Sequence, residues 1–222
     1  MAESALTKRI ISSTLLISLI IATILMKWLF NIVVLGFTLL GLYEFFTMLE
    51  NKGINIYKYF GIGMGMIIPL SLILRFEPTK KWELFFMILA LLFLIIMQFR
   101  RRETSGVVVA ISTTLFGILY VAWFFSFLIK IRYLDGGAGL LASILLITKL
   151  GDIGAFLVGS RFGKTPLMPR ISPKKSVEGA IGGLLFSVLG VLISAPFLNL
   201  DYIHIIFMGI SLWILGQLGD LS

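Results

Sequence analysis

Eight long runs of apolar residues dominate the sequence and limit what it can fold into. Each run is close to the roughly 20 residues that a helix needs to cross a bilayer. The runs cover residues 10–26, 28–46, 57–74, 82–99, 107–129, 139–158, 179–198 and 203–218. The sequence therefore predicts an all-α, polytopic integral membrane protein with about eight transmembrane helices. Since no internal repeat or linker interrupts it, we expect residues 1–222 to form a single transmembrane domain.

Composition excludes a water-soluble protein. Hydrophobic residues make up 59% of the chain and charged residues only 14%, whereas a soluble domain carries roughly 25% charge. The net charge of +8 is attributed to cytoplasmic loops and to contact with anionic phospholipid headgroups. Nucleic acid is not an expected partner. With no cysteine and a single histidine, the chain cannot build a thiolate zinc site or a polyhistidine metal site.

Basic residues are distributed unevenly between the connections of the predicted helices. If the N-terminus is cytoplasmic, twelve Lys and Arg residues lie on the cytoplasmic side and six on the opposite side. Because cytoplasmic loops carry an excess of Lys and Arg, this orientation is favoured. The prediction is an integral protein of the cell (inner) membrane, with the N-terminus and the loop 159–178 in the cytoplasm. Nucleotides are available there, so function is expected at this loop.

Two glycine patterns inside or beside the helices have structural interpretations. Gly61 and Gly65 lie within an apolar run, so they are interpreted as a packing face and not as a nucleotide-binding loop. Small residues also recur at three- and four-residue steps in one later run, at Gly179, Gly183, Ser187, Gly190 and Ser194. This stripe predicts close contact with another helix.

The segment Gly159-Ser-Arg-Phe-Gly-Lys-Thr is similar to a phosphate-binding loop, but its spacing is wrong. Three residues separate Gly159 from Gly163, where the phosphate-binding loop has four, and a membrane helix precedes it instead of a strand. A P-loop NTPase is therefore rejected. A basic cytoplasmic turn that meets phosphate remains compatible with the sequence.

The segment Ile-Ser-Pro-Lys-Lys-Ser-Val-Glu-Gly at 171–179 is the strongest local signal. Ser172 and Pro173 suit the N-cap and first position of a helix. Lys174 and Lys175 would then lie in the first turn, where the helix dipole disfavours cations. A bound phosphate would offset this conflict. A basic loop that only touches anionic headgroups explains the same residues, and the sequence leaves both interpretations open.

Acidic residues within membrane helices are the second lead, because such residues are rare and mark a site or an internal ion pair. Asp152, Asp220 and Glu44 qualify. Lys149 lies one turn before Asp152 and can form an ion pair with it. Asp220 is predicted at the cytoplasmic end of the last helix, so two acids and two lysines can converge there. Carboxylate oxygens suit Mg²⁺ that carries substrate phosphates.

With these motifs the chain resembles the phosphatidate cytidylyltransferases, or CDP-diacylglycerol synthases. The resemblance rests on Lys-Arg-Ile-Ile-Ser near the N-terminus, Tyr-Glu-Phe at Glu44, Gly-Asp-Ile-Gly-Ala-Phe at Asp152, the segments 159–164 and 171–179, and Gln-Leu-Gly-Asp-Leu-Ser at 217–222. Where this chain has Ser176 and Val177, the family usually has Thr and Trp. Its signature normally follows Gly-Asp-Leu-Ser, so we expect the chain to be C-terminally incomplete and, as it stands, inactive.

The resemblance implies transfer of CMP from CTP to phosphatidate, which gives CDP-diacylglycerol and pyrophosphate. It implies catalytic roles for Lys174 and Lys175, with supporting acidic roles for Asp152 and Glu178. It also implies that Ser172 and Lys164 help Lys174 and Lys175 to bind CTP. Mg²⁺ is the expected cofactor, and Asp220 is its expected ligand.

Expected partners are CTP, phosphatidate and membrane lipids, and a homodimer is left open. Related CTP-dependent lipid enzymes, of the CDP-archaeol synthase or polyprenol kinase type, would keep the basic loop and change the lipid acceptor. A secondary transporter is a further alternative, but it would show an inverted repeat, which the sequence lacks.

Overall fold

The structure, a computed structural model, describes residues 2–76, 82–99, 106–170, 172–198 and 201–221. Nearly all of these residues are helical, which confirms the all-α class. Their contacts divide the chain into two compact units, Met1–Tyr133 (unit 1) and Leu134–Ser222 (unit 2). A single transmembrane domain over residues 1–222 stays a prediction.

Each predicted apolar run coincides with a helical segment or extends past one by a single residue at an end. Unit 1 contains α1 (Ala2–Leu25), α2 (Lys27–Asn51), α3 (Lys58–Ile73), α4 (Trp82–Phe99), α5 (Val107–Gly117), a π-helical segment (Ile118–Trp123) and α6 (Phe124–Tyr133). Unit 2 contains α7 (Gly137–Phe162), β1 (Pro166–Met168), β2 (Ser172–Ser176), α8 (Val177–Ser194), a 3-10 turn (Ala195–Phe197) and α9 (Tyr202–Leu221). The last three segments of unit 1 follow one another without a break.

Among the described residues, four helices are long and apolar enough to cross a membrane. They are Lys27–Asn51, Val107–Tyr133, Gly137–Phe162 and Val177–Phe197. Shorter apolar segments are Ile11–Leu25, Lys58–Ile73, Leu84–Phe99 and Ile203–Gly219. Many of their Leu, Ile and Phe side chains are exposed, and so large an exposed apolar surface on helices of this length is typical of a membrane protein. The chain is a polytopic integral membrane protein, and the count of eight crossings stays a prediction.

In unit 1, glycines bring α3 against α2. Leu42 and Phe46 of α2 are fully buried. A Cβ atom at Gly61 would lie 2.6 Å from the Phe46 ring, and one at Gly65 would lie 2.6 Å from Leu42 Cδ1. Real Cβ atoms do not approach other atoms so closely, so glycine is required at both positions. The predicted packing face is confirmed.

In unit 2, α7 and α8 are in backbone contact along a glycine seam. The seam consists of Gly151, Gly154 and Gly159 on α7 and Gly179, Gly182 and Gly183 on α8. A Cβ atom at Gly154 would lie 2.7 Å from the Gly182 carbonyl oxygen, and one at Gly182 would lie 2.9 Å from the Gly154 carbonyl oxygen. The predicted small-residue stripe on α8 is confirmed, and Gly182 is a member of the seam that the sequence did not single out.

We expect Gly154→Ala to lower the free energy of unfolding by about 1–3 kcal/mol, because the added methyl group overpacks the seam. It would meet Phe186 and the Gly182 carbonyl. Gly216→Ala on α9 is the matched control, since no atom lies within 4 Å of its added Cβ. Unfolding in detergent micelles, followed by circular dichroism, measures both. Wild-type stability of the Gly154 variant would contradict the close contact.

A short hairpin connects α7 to α8. Strands β1 and β2 are antiparallel, with Pro166 opposite Ser176 and Met168 opposite Ser172. The Val177 N–H donates to the Thr165 carbonyl oxygen at 2.9 Å and closes the base of the hairpin. The sequence did not predict this pairing, which draws the basic loop back against the start of α8.

The predicted N-cap at Ser172 is wrong. Ser172, Lys174 and Lys175 lie in β2, and α8 begins at Val177. Ser176 is the N-cap, and its Oγ accepts a hydrogen bond from the Gly179 N–H at 3.1 Å. Glu178 is the charged residue of the first turn, where the helix dipole favours an acid. Because neither lysine lies in the first turn of α8, the helix dipole does not oppose their charge. A bound phosphate is therefore not needed to offset such a conflict.

Candidate active site

Unit 2 contains an open cavity of about 430 Å³ between α7, the β2–α8 junction and α9. This volume is within the range of small-molecule sites, roughly 300–1,000 Å³. Its polar lining consists of Asp152, Ser160, Lys175, Ser176 and Gln217. Small and apolar residues, among them Phe156 and Gly179, form the remaining wall. The cavity therefore combines one acid, one base and three neutral hydrogen-bonding groups.

Asp152 is the acid of this cavity, and α7 presents it. Its Oδ2 accepts a hydrogen bond from Lys149 Nζ at 3.0 Å, which confirms the predicted ion pair one turn apart. The side chains of Lys149 and Asp152 are 71% and 55% exposed, and such exposed pairs add little stability. The pairing leaves the other carboxylate oxygen available to a ligand.

The hairpin brings Lys175 and Ser176 to the cavity. Lys175 is the next-to-last residue of β2, and Ser176 both lines the cavity and caps α8. Glycines allow the close approach: a Cβ atom at Gly163 would lie 2.7 Å from Ser176 Oγ, and one at Gly159 would lie 3.3 Å from Gly179 Cα. The glycines of the 159–165 segment thus serve packing around the N-cap.

Glu178 holds the loop in place. Its carboxylate accepts hydrogen bonds from the Lys164 N–H at 3.1 Å, the Thr165 N–H at 3.2 Å and the Thr165 hydroxyl at 2.9 Å. Because the loop donors occupy this carboxylate, Glu178 acts as a positioning residue for the turn between α7 and β1. It is not among the residues that line the cavity.

Of the predicted site residues, the structure brings Asp152 and Lys175 together at one cavity. Ser172 and Lys164 lie on the hairpin and its approach and do not line this cavity. The backbone of Lys174 is in β2 and that of Asp220 in α9. The side chains of both lie outside the part of the chain that the structure describes.

Three polar residues of the cavity, Ser160, Ser176 and Gln217, were not predicted. The role of Ser176 as an N-cap could have been predicted, because a serine directly before an apolar run with an acid in its first turn is typical of a helix start. Gln217 had none, because its place depends on how α9 packs against α7 and α8. It lies three residues before Asp220, almost one helical turn, so the polar end of α9 includes both.

The described residues contain no group of three His, Asp or Glu side chains that could hold a metal ion alone. This does not conflict with a magnesium site, because Mg²⁺ in nucleotide enzymes takes one or two carboxylates and completes its shell with phosphates and water. Asp152 supplies one carboxylate on the cavity wall. The donor set therefore fits Mg²⁺ that arrives with a polyphosphate.

Glu44, the third acid singled out from the sequence, lies in unit 1. It lines a separate cavity of about 700 Å³ with Tyr43, Asn51, Lys52 and Tyr120, among other residues. Aromatic and aliphatic groups form much of this wall.

Comparison with known proteins assigns the family. The profile of the cytidylyltransferase family matches residues 7–222. The phosphatidate cytidylyltransferase of Synechocystis is 29% identical over 247 residues, which cover 97% of this chain and 82% of that protein. The proteins of the same name from Aquifex aeolicus and Thermotoga maritima are 37% and 33% identical over 47% and 60% of this chain. Those alignments span 39% and 47% of the two relatives. The chain belongs to the cytidylyltransferase family.

Proposed function

We propose that the protein is a phosphatidate cytidylyltransferase that works at the cavity of unit 2. The observation that carries the proposal is the meeting of Asp152 and Lys175 on one cavity wall, in a chain whose family profile runs from residue 7 to residue 222. The full-chain similarity to a phosphatidate cytidylyltransferase supports the choice of substrates.

The proposed reaction joins two polyanions. A phosphatidate phosphate oxygen attacks the α-phosphorus of CTP, the bond from that phosphorus to the bridging oxygen breaks, and pyrophosphate leaves with the bond electrons. Electrostatic repulsion opposes this approach, so the site must supply positive charge where negative charge accumulates. Lys175 is proposed to bind phosphate oxygens, and Ser160, Ser176 and Gln217 line the same cavity and can donate further hydrogen bonds. Lys174 is proposed as a second phosphate-binding lysine.

Magnesium is part of the proposal. Asp220 is proposed as its ligand, with Asp152 as the carboxylate on the cavity wall, and the bound ion would screen the phosphate charges as a Lewis acid. In this proposal the protein lies in the cell (inner) membrane and the cavity opens to its cytoplasmic side, as the positive-inside rule favours. The lipid tails then stay in the bilayer, which avoids exposing apolar surface to water. The sequence leaves open whether the protein forms a homodimer.

Labelled CTP tests the reaction. We expect protein expressed from its complete reading frame, with phosphatidate and Mg²⁺, to move label from α-³²P-CTP into lipid and to release label from γ-³²P-CTP as pyrophosphate. Chelation of Mg²⁺ should stop both. Transfer of the γ label to a polyprenol would instead indicate a kinase, and transfer of the α label only to an ether-linked acceptor would indicate the archaeal-type synthase. Either result would contradict the proposal.

A further inference from the structure

Three cationic side chains lie at one end of unit 1, and two of them lie beside the ring of Tyr133. Lys27 Nζ lies 5.8 Å and Arg75 Cζ lies 5.9 Å from the centroid of that ring. The guanidinium of Arg132 donates to the Leu25 carbonyl at 3.1 Å, at the break between α1 and α2 that Lys27 follows. Asn31 Nδ2 donates to the Tyr133 hydroxyl at 3.1 Å and holds the ring. We call Lys27, Arg75, Arg132 and Tyr133 the cation cluster.

Arg132 is buried without an acid. Its exposure is 6%, and its Nε has no hydrogen-bond partner among the residues that the structure describes. The other buried cation of unit 1, Lys58, is 8% exposed and forms a 2.9 Å ion pair with Glu50. Within the described ranges, no carboxylate forms an ion pair with a member of the cation cluster. A buried charge without a counterion is costly, and an anion bound close to Arg132 would offset this cost.

Arg75 occupies a backbone position that normally belongs to glycine. Its φ of 54° is left-handed. The N–H groups of Arg75 and Phe76 donate to the carbonyls of Leu72 and Ser71, which is the Schellman motif at the end of α3. The same motif ends α2, where Gly53 has a φ of 77°. Since a left-handed conformation costs an L-residue free energy that glycine avoids, the arginine side chain has a use that offsets this cost.

The surroundings of the cation cluster identify a lipid as the source of the anion. Leu25, Met26 and Trp28 flank Lys27 and are exposed, and Leu74 and Phe76 flank Arg75 and are exposed. A free phosphate would gain nothing from these apolar neighbours. A phospholipid would place its phosphate among the cations and its chains on the apolar surface.

We propose that the cation cluster binds the phosphate group of an anionic phospholipid. Lys27 and Arg75 make the direct contacts with the phosphate, and the buried guanidinium of Arg132 adds its positive charge close to them. This site is in unit 1 and does not depend on the reaction proposed for unit 2. It assigns a use to basic residues that the topology rule places on the non-cytoplasmic side.

The test is titration of the detergent-purified full chain with phosphatidylglycerol and with phosphatidylcholine, followed by native mass spectrometry. We expect phosphatidylglycerol to bind at least about tenfold more tightly, as charged hydrogen bonds require. Arg75→Gly should weaken phosphatidylglycerol binding about fivefold. Because glycine suits the left-handed position, the variant should melt no lower than wild type without added lipid. This separates lost binding from lost folding.

Lys52→Ala, at the end of α2, is the control with the same change in charge and should bind phosphatidylglycerol like wild type. Arg132→Gln should weaken phosphatidylglycerol binding about tenfold or more. If the Arg132→Gln variant fails to fold, the Arg75→Gly variant still tests the proposal. Wild-type binding by Arg75→Gly, or equal weakening by Lys52→Ala, would overturn the proposal. So would equal thermal stabilisation by inorganic phosphate, which would make free phosphate the ligand.

Discussion

Asp152→Asn is expected to lower kcat/KM for CTP by about a hundredfold, the size of effect that follows loss of a preorganised electrostatic group. The substitution keeps the shape of the side chain and removes the negative charge from the cavity wall. Kinetics of CTP-dependent pyrophosphate release, with phosphatidate in detergent micelles and varied Mg²⁺, measure the change. If the carboxylate helps to hold the metal ion, the variant should also require more Mg²⁺ for half-maximal rate.

Lys149→Met is the control for that experiment. It breaks the same 3.0 Å ion pair but leaves the carboxylate in the cavity. If Asp152 serves only as the partner of Lys149, the two variants should lose the same small amount of activity. A large loss in Asp152→Asn beside a small loss in Lys149→Met is the expected pattern, and equal losses would contradict a role for Asp152 in the site.

Lys175→Ala is expected to lower kcat/KM for CTP about ten- to a hundredfold, which corresponds to the loss of a charged hydrogen bond. Lys175 lies on the cavity wall next to the N-cap of α8, and its proposed role is to bind phosphate oxygens. The thermal unfolding of the variant should change little, because the side chain is partly exposed. Lys174→Ala is expected to weaken CTP use in the same assay.

Arg161→Ala removes the same charge from the last turn of α7, at an exposed position that is not part of the cavity lining. It should keep wild-type kinetics with CTP. If Arg161→Ala and Lys175→Ala lose activity equally, the basic loop acts only through its overall charge. That result would favour simple contact with lipid headgroups over nucleotide binding.

The helices could be predicted from the sequence because their signals are local. A run of apolar residues long enough to cross a bilayer needs no information from the rest of the chain. The same holds for the stripe that contains Gly183 and Ser187, since a three- to four-residue period places small residues on one helix face. Its partners on α7, such as Gly151 and Gly154, are fixed by tertiary packing and could not be read in this way.

The hairpin could not be predicted because its pairing is not local. Its strands have three and five residues, and both contain proline, which is normally a signal against a strand. Ser172 and Pro173 satisfy the local rule for a helix start. Contacts 13 residues apart, between Glu178 and Thr165, stabilise a different arrangement. The sequence thus identified Asp152 and Lys175 as candidates but placed the start of α8 four residues too early.

The glycine seam between α7 and α8 has a consequence for how ligands are received. Asp152 is one residue beyond Gly151, and Ser176 caps the helix that carries Gly179 and Gly182. Because backbones in direct contact cannot slide without overlap, the acid and the N-cap keep their spacing whether or not a ligand is present. The entropy of ordering this wall is lost when the protein folds, not when it binds. Any adjustment to the substrates then falls on α9, whose contacts contain no comparable backbone lock in the described residues.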